Sequence, residues 1–440
     1  MKAFLLRTGK RIAPFGDPVG QCLVVNKTID AWREDAARAC GLELVEIDDL
    51  GQVEGDECFL FFDDLFLSPR AMRSFVKRSR KAGTPGALGL PRSTLSEAIR
   101  PLQGLRTWGP GAGASGESAP EGGGYAYDAY YLRGGLPPSE AMLAELPVCE
   151  IRYREKVIRK RLPEKMMGMP HIDLPLSSYL AMRIVSWVHL LWANNYGISV
   201  RWIEEVLGNA PWAAGTALKA LSSTLLRGEV TADRVLRRMV RKGRNTRIHP
   251  TAIVESSILG DDVEVGPYAA VRGCVIGDRV VIEDRASLDA SVIGDDCYIT
   301  KQCTLAAAAA YPGGSIGCRM SQLCLIGREA VLTFGLGAVD MSVRGNVKVM
   351  HEGRLEDAGT SLLGVCYGHR FYGGADVRIN AGRAMPNDTM LISSMDHVAS
   401  KIPDDLPSGV PLVVRKGVVV PYGQPSRKRE DDGSSPVGAG

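Results

Sequence analysis

The sequence lacks the cysteine spacing that marks zinc and thiol-redox sites. Ten cysteines occur in 440 residues, and no two of them stand in C-x-x-C spacing. A long apolar leader is missing as well, because the opening stretch MKAFLLRTGKRIAPFGD contains only a short apolar run. We therefore expect a cytoplasmic protein without a signal peptide, in which the cysteines are free thiols.

The sequence also has little excess charge and no uninterrupted hydrophobic span. Its formal net charge of +3 is too small to indicate nucleic acid or an anionic membrane as a partner. The most apolar stretch, residues 179–198, contains Arg183 and His189, so we interpret it as a buried amphipathic helix and expect no membrane span. The length and the 45% hydrophobic content indicate two or three globular domains.

Residues 246–305 contain a short internal repeat. Branched aliphatic residues recur at steps of six, five and six residues, which together make a period of 17. Equivalent positions are therefore Ile248, Val265, Ile282 and Ile299. A period this short indicates a three-sided β-helix, since helical repeats need about 30 residues or more. Small or modest side chains follow the aliphatics at the crowded corners, where Cys297 and Cys303 are predicted to be core residues.

The repeat resembles the hexapeptide-repeat, left-handed parallel β-helix of sugar nucleotidyltransferases and acyltransferases. The opening IHPTAIVESSILGDDVEVGPYAAVRGCVIGD is similar to the start of that domain in bifunctional sugar-1-phosphate nucleotidylyltransferase/acetyltransferases. The resemblance implies a homotrimer formed through the β-helix. It also implies a site for acetyl-coenzyme A, or another acyl-coenzyme A, between neighbouring coils of two subunits.

A second match lies in residues 343–387. VKVMHEGRLED predicts a β-hairpin that turns at Glu352-Gly353, and the segments LG, GH and GR that follow it occur in the same order in archaeal-type members of the bifunctional family. The hairpin, residues 343–360, is therefore expected to be an insertion in the β-helix.

The front of the chain has an α/β pattern. A strand at Ala3–Leu6, a basic glycine turn, a helix around Ile29–Cys40 and a strand at LELVEID predict a parallel sheet with Rossmann-like winding. A glycine turn between strand and helix lets backbone N–H groups approach phosphates, and an arginine there can neutralise pyrophosphate.

This turn resembles the nucleotidyltransferase signature loop, so the front is identified as a diverged, trimmed nucleotidyltransferase-like domain. Gly9 and Arg11 match the loop, Lys10 stands beside them, and Asn26 matches the asparagine of the signature. The resemblance implies a catalytic, phosphate-holding role for Arg11 and substrate binding by Gly9, Lys10 and Asn26. The lysine that the family places between the loop and the asparagine has no counterpart.

Two acidic residues end the next apolar strand. In ECFLFFDDLFLSP, the family pattern places a metal-binding aspartate at the carboxyl edge of the sheet, so Asp63 or Asp64 is the candidate ligand for Mg²⁺. The alternative is that Asp64 caps the helix that follows.

The acyl-transfer half retains few of the residues that the family uses. The pattern sets Gln322 at the position of the histidine base, and Lys348 matches one lysine. Because glutamine cannot accept a proton, His369 in YGHRFYGG is the substitute candidate for the base, with Lys348 as a further catalytic candidate. The alternative is a hydrogen-bonding histidine at a corner of the β-helix.

The predicted organisation has four parts. Residues 1–150 form the reduced α/β domain with a Gly/Pro-rich loop at 104–124, and 151–245 form a helical connector with segments at 178–197, 200–208, 211–227 and 231–242. The left-handed β-helix covers 246–422, and 423–440 form a disordered tail. In this scheme the basic stretch IRYREKVIRKRLPEK is a solvated strand or helix face, with a phosphate or lipopolysaccharide surface as the alternative.

Three functions remain open at this point. The first is a diverged nucleotidyltransferase/acyltransferase relative that handles a sugar phosphate or nucleotide sugar. The second is a non-catalytic regulatory or scaffold subunit of that family, and the third is a hexapeptide acyltransferase that uses the β-helix alone.

Overall fold

A computed structural model describes residues 1–109, 123–135, 137–162, 164, 170–225 and 239–423. The chain divides into two compact units, Met1–Leu391 and Ile392–Gly440. The second unit contains a short helical turn at Met395–His397 and a hairpin of β41 (Leu412–Arg415) and β42 (Val418–Pro421). The predicted tail beyond residue 423 and most of the predicted Gly/Pro-rich loop lie outside the described residues.

The front domain has the predicted Rossmann-like winding, but its sheet is mixed, whereas the sequence predicts a parallel one. The strand order is β12-β9-β11-β7-β1-β6, with β10 at the edge of β11. Strand β1 runs parallel to β6 and β7, whereas β11 runs antiparallel to β7 and β9. The strands are β1 (Lys2–Leu6), β2 (Arg11–Ile12), β3 (Asp17–Pro18), β4 (Leu23–Val24), β5 (Lys27–Thr28), β6 (Glu43–Ile47), β7 (Glu57–Phe62), β8 (Leu65–Leu67), β9 (Gly86–Pro91), β10 (Arg106–Trp108), β11 (Gly124–Arg133) and β12 (Val148–Glu150).

Four helices flank this sheet. They are α1 (Ile29–Ala39), α2 (Pro69–Ala82), α3 (Thr94–Ile99) and α4 (Glu140–Glu145). Thr28 caps the start of helix α1, where its hydroxyl accepts the Ala31 N–H at 3.2 Å. Gly83 caps the end of α2, and its φ of 65° favours glycine. The central strand β7 is buried on both faces, since Phe59 and Leu60 point into different hydrophobic clusters.

The segment between the two main domains differs from the predicted helical connector. It contains β13 (Lys156–Arg161), β14 (His171–Leu176), β15 (Ala181–Arg183), α5 (Trp187–Gly208) and α6 (Ala210–Leu225). The helix predicted to begin at 178 begins at Trp187 and continues without a break to Gly208. The preceding residues are extended because β15 pairs with β8 of the front domain. Of the helix predicted at 231–242, residues 231–238 lie outside the described residues, and Arg241–Lys242 form strand β16.

The second half of unit Met1–Leu391 is a left-handed parallel β-helix with three faces. The first face stacks eight strands: β16 (Arg241–Lys242), β19 (Ile258–Leu259), β22 (Val275–Ile276), β25 (Val292–Ile293), β28 (Ala309–Ala310), β31 (Leu325–Ile326), β36 (Cys366–Tyr367) and β39 (Ala384–Met385). The second face also stacks eight: β17 (Arg247–Ile248), β20 (Glu264–Val265), β23 (Val281–Ile282), β26 (Tyr298–Ile299), β29 (Ser315–Ile316), β32 (Val331–Leu332), β37 (Tyr372–Gly373) and β40 (Met390–Leu391). The third face stacks five: β18 (Ile253–Glu255), β21 (Ala270–Arg272), β24 (Ser287–Asp289), β27 (Thr304–Ala306) and β30 (Ser321–Gln322). Strands β33 (Gly337–Ala338) and β38 (Arg378–Ile379) pair separately.

The coil register predicted from the sequence is confirmed strand by strand. Ile248 pairs with Val265, Val265 with Ile282, and Ile282 with Ile299, all in parallel. Cys297 and Cys303 lie in the core, and all ten cysteines are free. Each coil therefore presents one inward aliphatic per side, and the small corner residues fill the space between coils.

The predicted hairpin is present, with β34 (Lys348–His351) and β35 (Arg354–Asp357) joined at Glu352-Gly353. The coils, however, end at Leu391, whereas the sequence predicts a β-helix that extends to residue 422. Beyond that point the hexad spacing of aliphatic residues stops, so no further coil can be filled.

The front domain and the β-helix share one hydrophobic core. Helix α5 lies along β25, β28 and β31, and its Asn195 donates to the Ala307 carbonyl at 3.2 Å. Trp202 on the same helix donates to the Ser256 carbonyl at 2.9 Å. In the part of the chain that is described, no helix is long and apolar enough to cross a membrane.

Candidate functional site

Four of the predicted site residues meet at the carboxyl end of β1 and β7. Asp63 accepts two hydrogen bonds from Thr8, one from its backbone N–H at 3.1 Å and one from its hydroxyl at 2.6 Å. Asp64, which is fully buried, accepts from Lys10 Nζ at 2.6 Å. Gly9 lies between these partners with φ of 68°, a conformation that glycine adopts without strain. The glycine turn therefore contacts the acidic end of β7, and the substrate-binding roles of Gly9 and Lys10 stay predictions.

A second cation completes this cluster. The Arg183 guanidinium donates to Asp64 at 2.9 Å and lies 3.2 Å from a carboxylate oxygen of Asp128. Burial opposes the charge on Arg183, yet the two carboxylates outweigh burial and raise the pKa of the guanidinium. Arg183 comes from β15, a segment that the sequence pattern predicts to be helical. The sequence pattern does not reveal the role of Arg183, because β15 is extended only through its tertiary pairing with β8.

The two aspartates do not fit a magnesium site in this arrangement. Thr8 already occupies one oxygen of Asp63, and Lys10 and Arg183 supply the charge that neutralises Asp64. Among the described residues, no group of three or more His, Cys, Asp or Glu side chains is placed to hold a metal ion. The assignment of Mg²⁺ to Asp63 or Asp64 stays a prediction.

Arg11 and Asn26 lie apart from this cluster. Arg11 donates to the Gly16 carbonyl at 2.7 Å and closes the small hairpin of β2 and β3. Asn26 donates to the Ile293 carbonyl of the β-helix at 2.7 Å, with its own backbone at φ of 60°. In the folded chain these two side chains shape and anchor the loop, and their predicted roles at a phosphate are not tested by this geometry.

A cavity of about 260 Å³ opens beside Arg183. Phe62 and Tyr130 form an aromatic wall, with ring centroids 6.1 Å apart. The polar residues of the lining include Arg106, Asp128, Glu140 and Tyr127. The Tyr127 hydroxyl is buried and has no hydrogen-bond partner among the described residues, whereas the Arg183 Nε lies 3.2 Å from a carboxylate oxygen of Asp128. Buried polar groups are normally paired, so a polar ligand or water is the natural partner for the Tyr127 hydroxyl.

The candidate base His369 lies on a ladder of corner residues on the first face of the β-helix. In this ladder a side chain from one coil accepts the backbone N–H of the preceding coil. Asp261 N–H donates to Asp278, and Asp278 N–H donates to Asp295, at 2.7 and 2.9 Å. Further along, Arg328 N–H donates to His369 Nδ1 and His369 N–H donates to Asn387, both at 2.8 Å. His369 thus takes the position that aspartate holds in the earlier coils.

Both ring nitrogens of His369 are engaged. Because Nδ1 accepts a backbone hydrogen bond, the neutral ring carries its proton on Nε2, which donates to Asp17 at 3.2 Å. Arg328 pairs with the same oxygen of Asp17 at 2.5 Å. Burial opposes ionisation of Asp17, yet the hydrogen bonds from His369 and Arg328 outweigh burial and lower the pKa of its carboxyl.

The front loop covers this corner. The Phe15 ring stacks on the His369 ring with centroids 4.4 Å apart, and the Phe15 carbonyl accepts from the Asn387 amide at 2.7 Å. Leu23 N–H donates to the Tyr311 hydroxyl at 2.8 Å. Only 4% of His369 is exposed, so the ring has neither a free lone pair nor open access to a substrate in this conformation.

The remaining acyl-transfer candidates lie elsewhere on the β-helix. Lys348 is exposed at the start of the inserted hairpin, and its carbonyl accepts from Arg383 at 3.1 Å. Gln322 ends strand β30, half-buried. The corner ladder is visible in the sequence as IGD, IGD, IGR, YGH and MPN at matching coil positions, a signal separate from the inward aliphatics.

Residues 213–309 match the sequence model of the GlmU-like, C-terminal hexapeptide family. The match covers under a quarter of the chain and does not include the front domain. No curated protein matches the chain. A crystal structure described as that of an acetyltransferase from Bacillus cereus has 18% sequence identity and a TM-score of 0.16, and it covers 34% of this chain and 76% of that chain. A TM-score this low supports no statement about the present chain. The assignment of the β-helix fold rests on the parallel strand register and on the family match.

Proposed function

We propose that this protein binds a sugar phosphate, or the sugar-phosphate part of a nucleotide sugar, in the cavity beside Arg183. The observation that carries the proposal is a cavity whose lining includes Arg106, Arg183 and Tyr127, the last with a buried hydroxyl that has no hydrogen-bond partner among the described residues. The cavity lies at the edge of the α/β sheet beside the carboxyl end of β7, where ligands bind in sheets of this kind.

The chemistry of the lining suits a phosphorylated sugar. Arg106 supplies positive charge for a phosphate, Glu140 can accept hydrogen bonds from sugar hydroxyls, and Tyr130 offers an aromatic face for the ring. The volume of about 260 Å³ is below the range of about 300–1,000 Å³ typical of larger ligands. A monosaccharide phosphate fits this size better than a complete nucleotide sugar.

For the β-helix we propose the assembly that the hexapeptide family implies. The chain would form a homotrimer through the β-helix, with acetyl-coenzyme A or another acyl-coenzyme A as the co-substrate between coils. The family match over residues 213–309 supports this proposal. His369, which is buried with both ring nitrogens engaged, would act as a base only if the front loop moved away from it.

A second candidate function is that of a non-catalytic regulatory or scaffold subunit of the same family. The pairing of Lys10 with Asp64 favours it, because a lysine neutralises the carboxylate that nucleotidyl transfer would use for a metal. Ligand binding in the cavity is compatible with this role, so binding and turnover must be measured separately.

Binding is tested by calorimetric titration of the full chain with glucose 1-phosphate, glucosamine 1-phosphate and a uridine diphosphate sugar. Tyr127→Phe removes one hydroxyl and should weaken binding about 3- to 10-fold, as expected for one hydrogen bond. Tyr131→Phe is the matched control, because its hydroxyl is bonded to Glu57 and the residue is not part of the cavity lining. Absence of binding to every probe, or equal effects of the two variants, would overturn the proposal.

Turnover is tested with Mg²⁺, pooled nucleoside triphosphates, pooled sugar 1-phosphates and acetyl-coenzyme A, followed by mass spectrometry. A nucleotide-sugar product that disappears in Asp63→Ala/Asp64→Ala would establish nucleotidyl transfer. An acetylated sugar alone would assign the activity to the β-helix. Ligand binding without any product would favour the regulatory function.

A further inference from the structure

Helix α2 has an entirely cationic exposed side. Its sequence, PRAMRSFVKRSRKA, contains six basic residues and no acidic one. At 3.6 residues per turn these six side chains fall within an arc of about 160°. The opposite side, with Met72, Phe75 and Val76, is buried against the sheet. The cationic residues are Arg70, Arg73, Lys77, Arg78, Arg80 and Lys81.

These cations have no acidic partners in the described part of the chain. Within those ranges, no salt bridge joins any of the six to a carboxylate, and Arg70 donates instead to the Ser178 hydroxyl at 3.3 Å. Two exposed arginines of the β-helix are paired, Arg279 with Asp296 and Arg370 with Asp388. The charge of α2 is therefore available to an external anion, although the net charge of the whole chain is only +3.

The hairpin of β13 and β14 adds exposed aliphatic side chains to this charge. Ile158 pairs with Leu174, and Lys156 pairs with Leu176, so these four side chains share one face. Ile158, Leu174 and Leu176 are 45%, 38% and 41% exposed, and every residue of β13 is exposed. Lys160 lies on the same face. The hairpin thus presents lysines and aliphatics together to solvent.

The two elements are neighbours in the fold. Tyr179, three residues after β14, shares a hydrogen bond of 3.3 Å with Ser74 in the middle of α2. Arg70, in the first turn of α2, contacts Ser178. The helix and the base of the hairpin are therefore in contact, and we call their exposed residues together the cationic surface (Arg70–Lys81 with Lys156–Lys160 and Leu174–Leu176).

We propose that the cationic surface docks the protein on an anionic phospholipid membrane, as a peripheral contact at the membrane surface. Basic residues on one helix side attract lipid phosphates, and lysines beside exposed aliphatics are typical of segments that rest in the headgroup region. A nucleic acid or another soluble polyanion would use the charge but would gain nothing from Ile158, Leu174 and Leu176, so the aliphatic residues favour the membrane.

The test is co-sedimentation of the full chain with vesicles of phosphatidylcholine and phosphatidylglycerol in a ratio of two to one, and with vesicles of phosphatidylcholine alone. We expect binding to the first and little to the second, with loss of binding in high salt. Arg73→Gln/Lys77→Gln/Arg80→Gln should weaken binding about 100-fold, at roughly five-fold per cation. All three residues are exposed, so the fold is retained.

Two further variants test whether binding depends on the position of the charge and on the aliphatic residues of the hairpin. Arg285→Gln/Arg319→Gln/Arg354→Gln removes the same charge from exposed residues of the β-helix and should bind like the native chain. Ile158→Ser/Leu174→Ser should weaken binding to vesicles but not to heparin. Equal binding to neutral vesicles, equal loss in both triple variants, or tighter binding to heparin without sensitivity to the aliphatic variant would overturn the proposal.

Discussion

The ring of Phe15 lies stacked on the ring of His369, with centroids 4.4 Å apart and planes inclined by 13°. One residue belongs to the glycine-rich turn of an α/β domain and the other to a corner of a β-helix, 354 positions later in the chain. The two predicted active regions are therefore not independent, because the loop of the first encloses the candidate base of the second.

Removal of the stacked ring should release the front loop. Phe15 is 3% exposed, and truncation of a buried phenylalanine costs about 3–5 kcal/mol. In Phe15→Ala we expect faster amide hydrogen exchange at residues 11–26 and unchanged exchange in the coils around Ile276. Phe334→Ala is the control, since that ring is 58% exposed. Unchanged exchange at the loop would contradict the interpretation.

The position of His369 in the corner ladder predicts which substitutions it tolerates. His369→Asn should preserve the acceptor for Arg328 N–H, as Asn387 does for His369 N–H. His369→Ala leaves a buried N–H unpaired and should lower the free energy of unfolding by about 1–3 kcal/mol. Urea denaturation of both variants measures the difference.

The same pair of variants separates a structural from a catalytic role. If acyl transfer is found and His369→Asn retains it, the histidine is not the base. A folded His369→Asn that loses acyl transfer would instead support the catalytic assignment.

A second histidine should make the protein sensitive to mild acid. His189 is buried at the start of α5, where its Nε2–H donates to the Pro101 carbonyl at 2.9 Å. Burial is the main cause that lowers its pKa to about 4. Because the unfolded state has a pKa of about 6.5, stability is complete above that pH and falls by roughly 3 kcal/mol as pH approaches 4. Urea midpoints at intervals from pH 7 to 4 should show this slope, and His189→Gln should remove it.

Asp17 should control stability at a lower pH. Its carboxyl has a lowered pKa because His369 and Arg328 outweigh the effect of burial. The stabilisation is therefore present above the unfolded pKa of about 3.9 and is lost as pH falls through the folded value. Asp17→Asn should abolish this acid dependence of loop exchange. Asp388→Asn, which removes an exposed carboxylate on the neighbouring coil, should change little.

The sequence was sufficient for the β-helix because its period follows from local packing. Each coil needs one inward aliphatic per side and a small corner residue, and both requirements are met within a single coil, as Val265 and Ile282 show. The continuous helix from Trp187 and the strand before it were not predictable in the same way, since Ala181–Arg183 is extended only because it pairs with Leu65–Leu67.

The candidate site divides in the same manner. Lys10 and Asp64 each belong to a segment that the sequence singles out, the glycine turn and the acidic strand end, but their pairing was not predicted. The position of Arg183 and the burial of His369 depend on contacts between distant segments, and no local pattern encodes them. The positive charge of α2 can be read in the sequence. It is not apparent from the net charge of +3, because acidic residues elsewhere in the chain offset it.

The hydrogen bonds from the β-helix to the front loop have a consequence for synthesis. The loop around Phe15 leaves the ribosome long before its partner Asn387, which is among the last residues to be made before the coils end. Docking must wait until every coil up to that point exists, since the ladder that holds His369 continues through Asn387. A chain truncated within the β-helix would leave its first domain with an unattached loop. The front loop can therefore dock only after the coils of the β-helix have been synthesised.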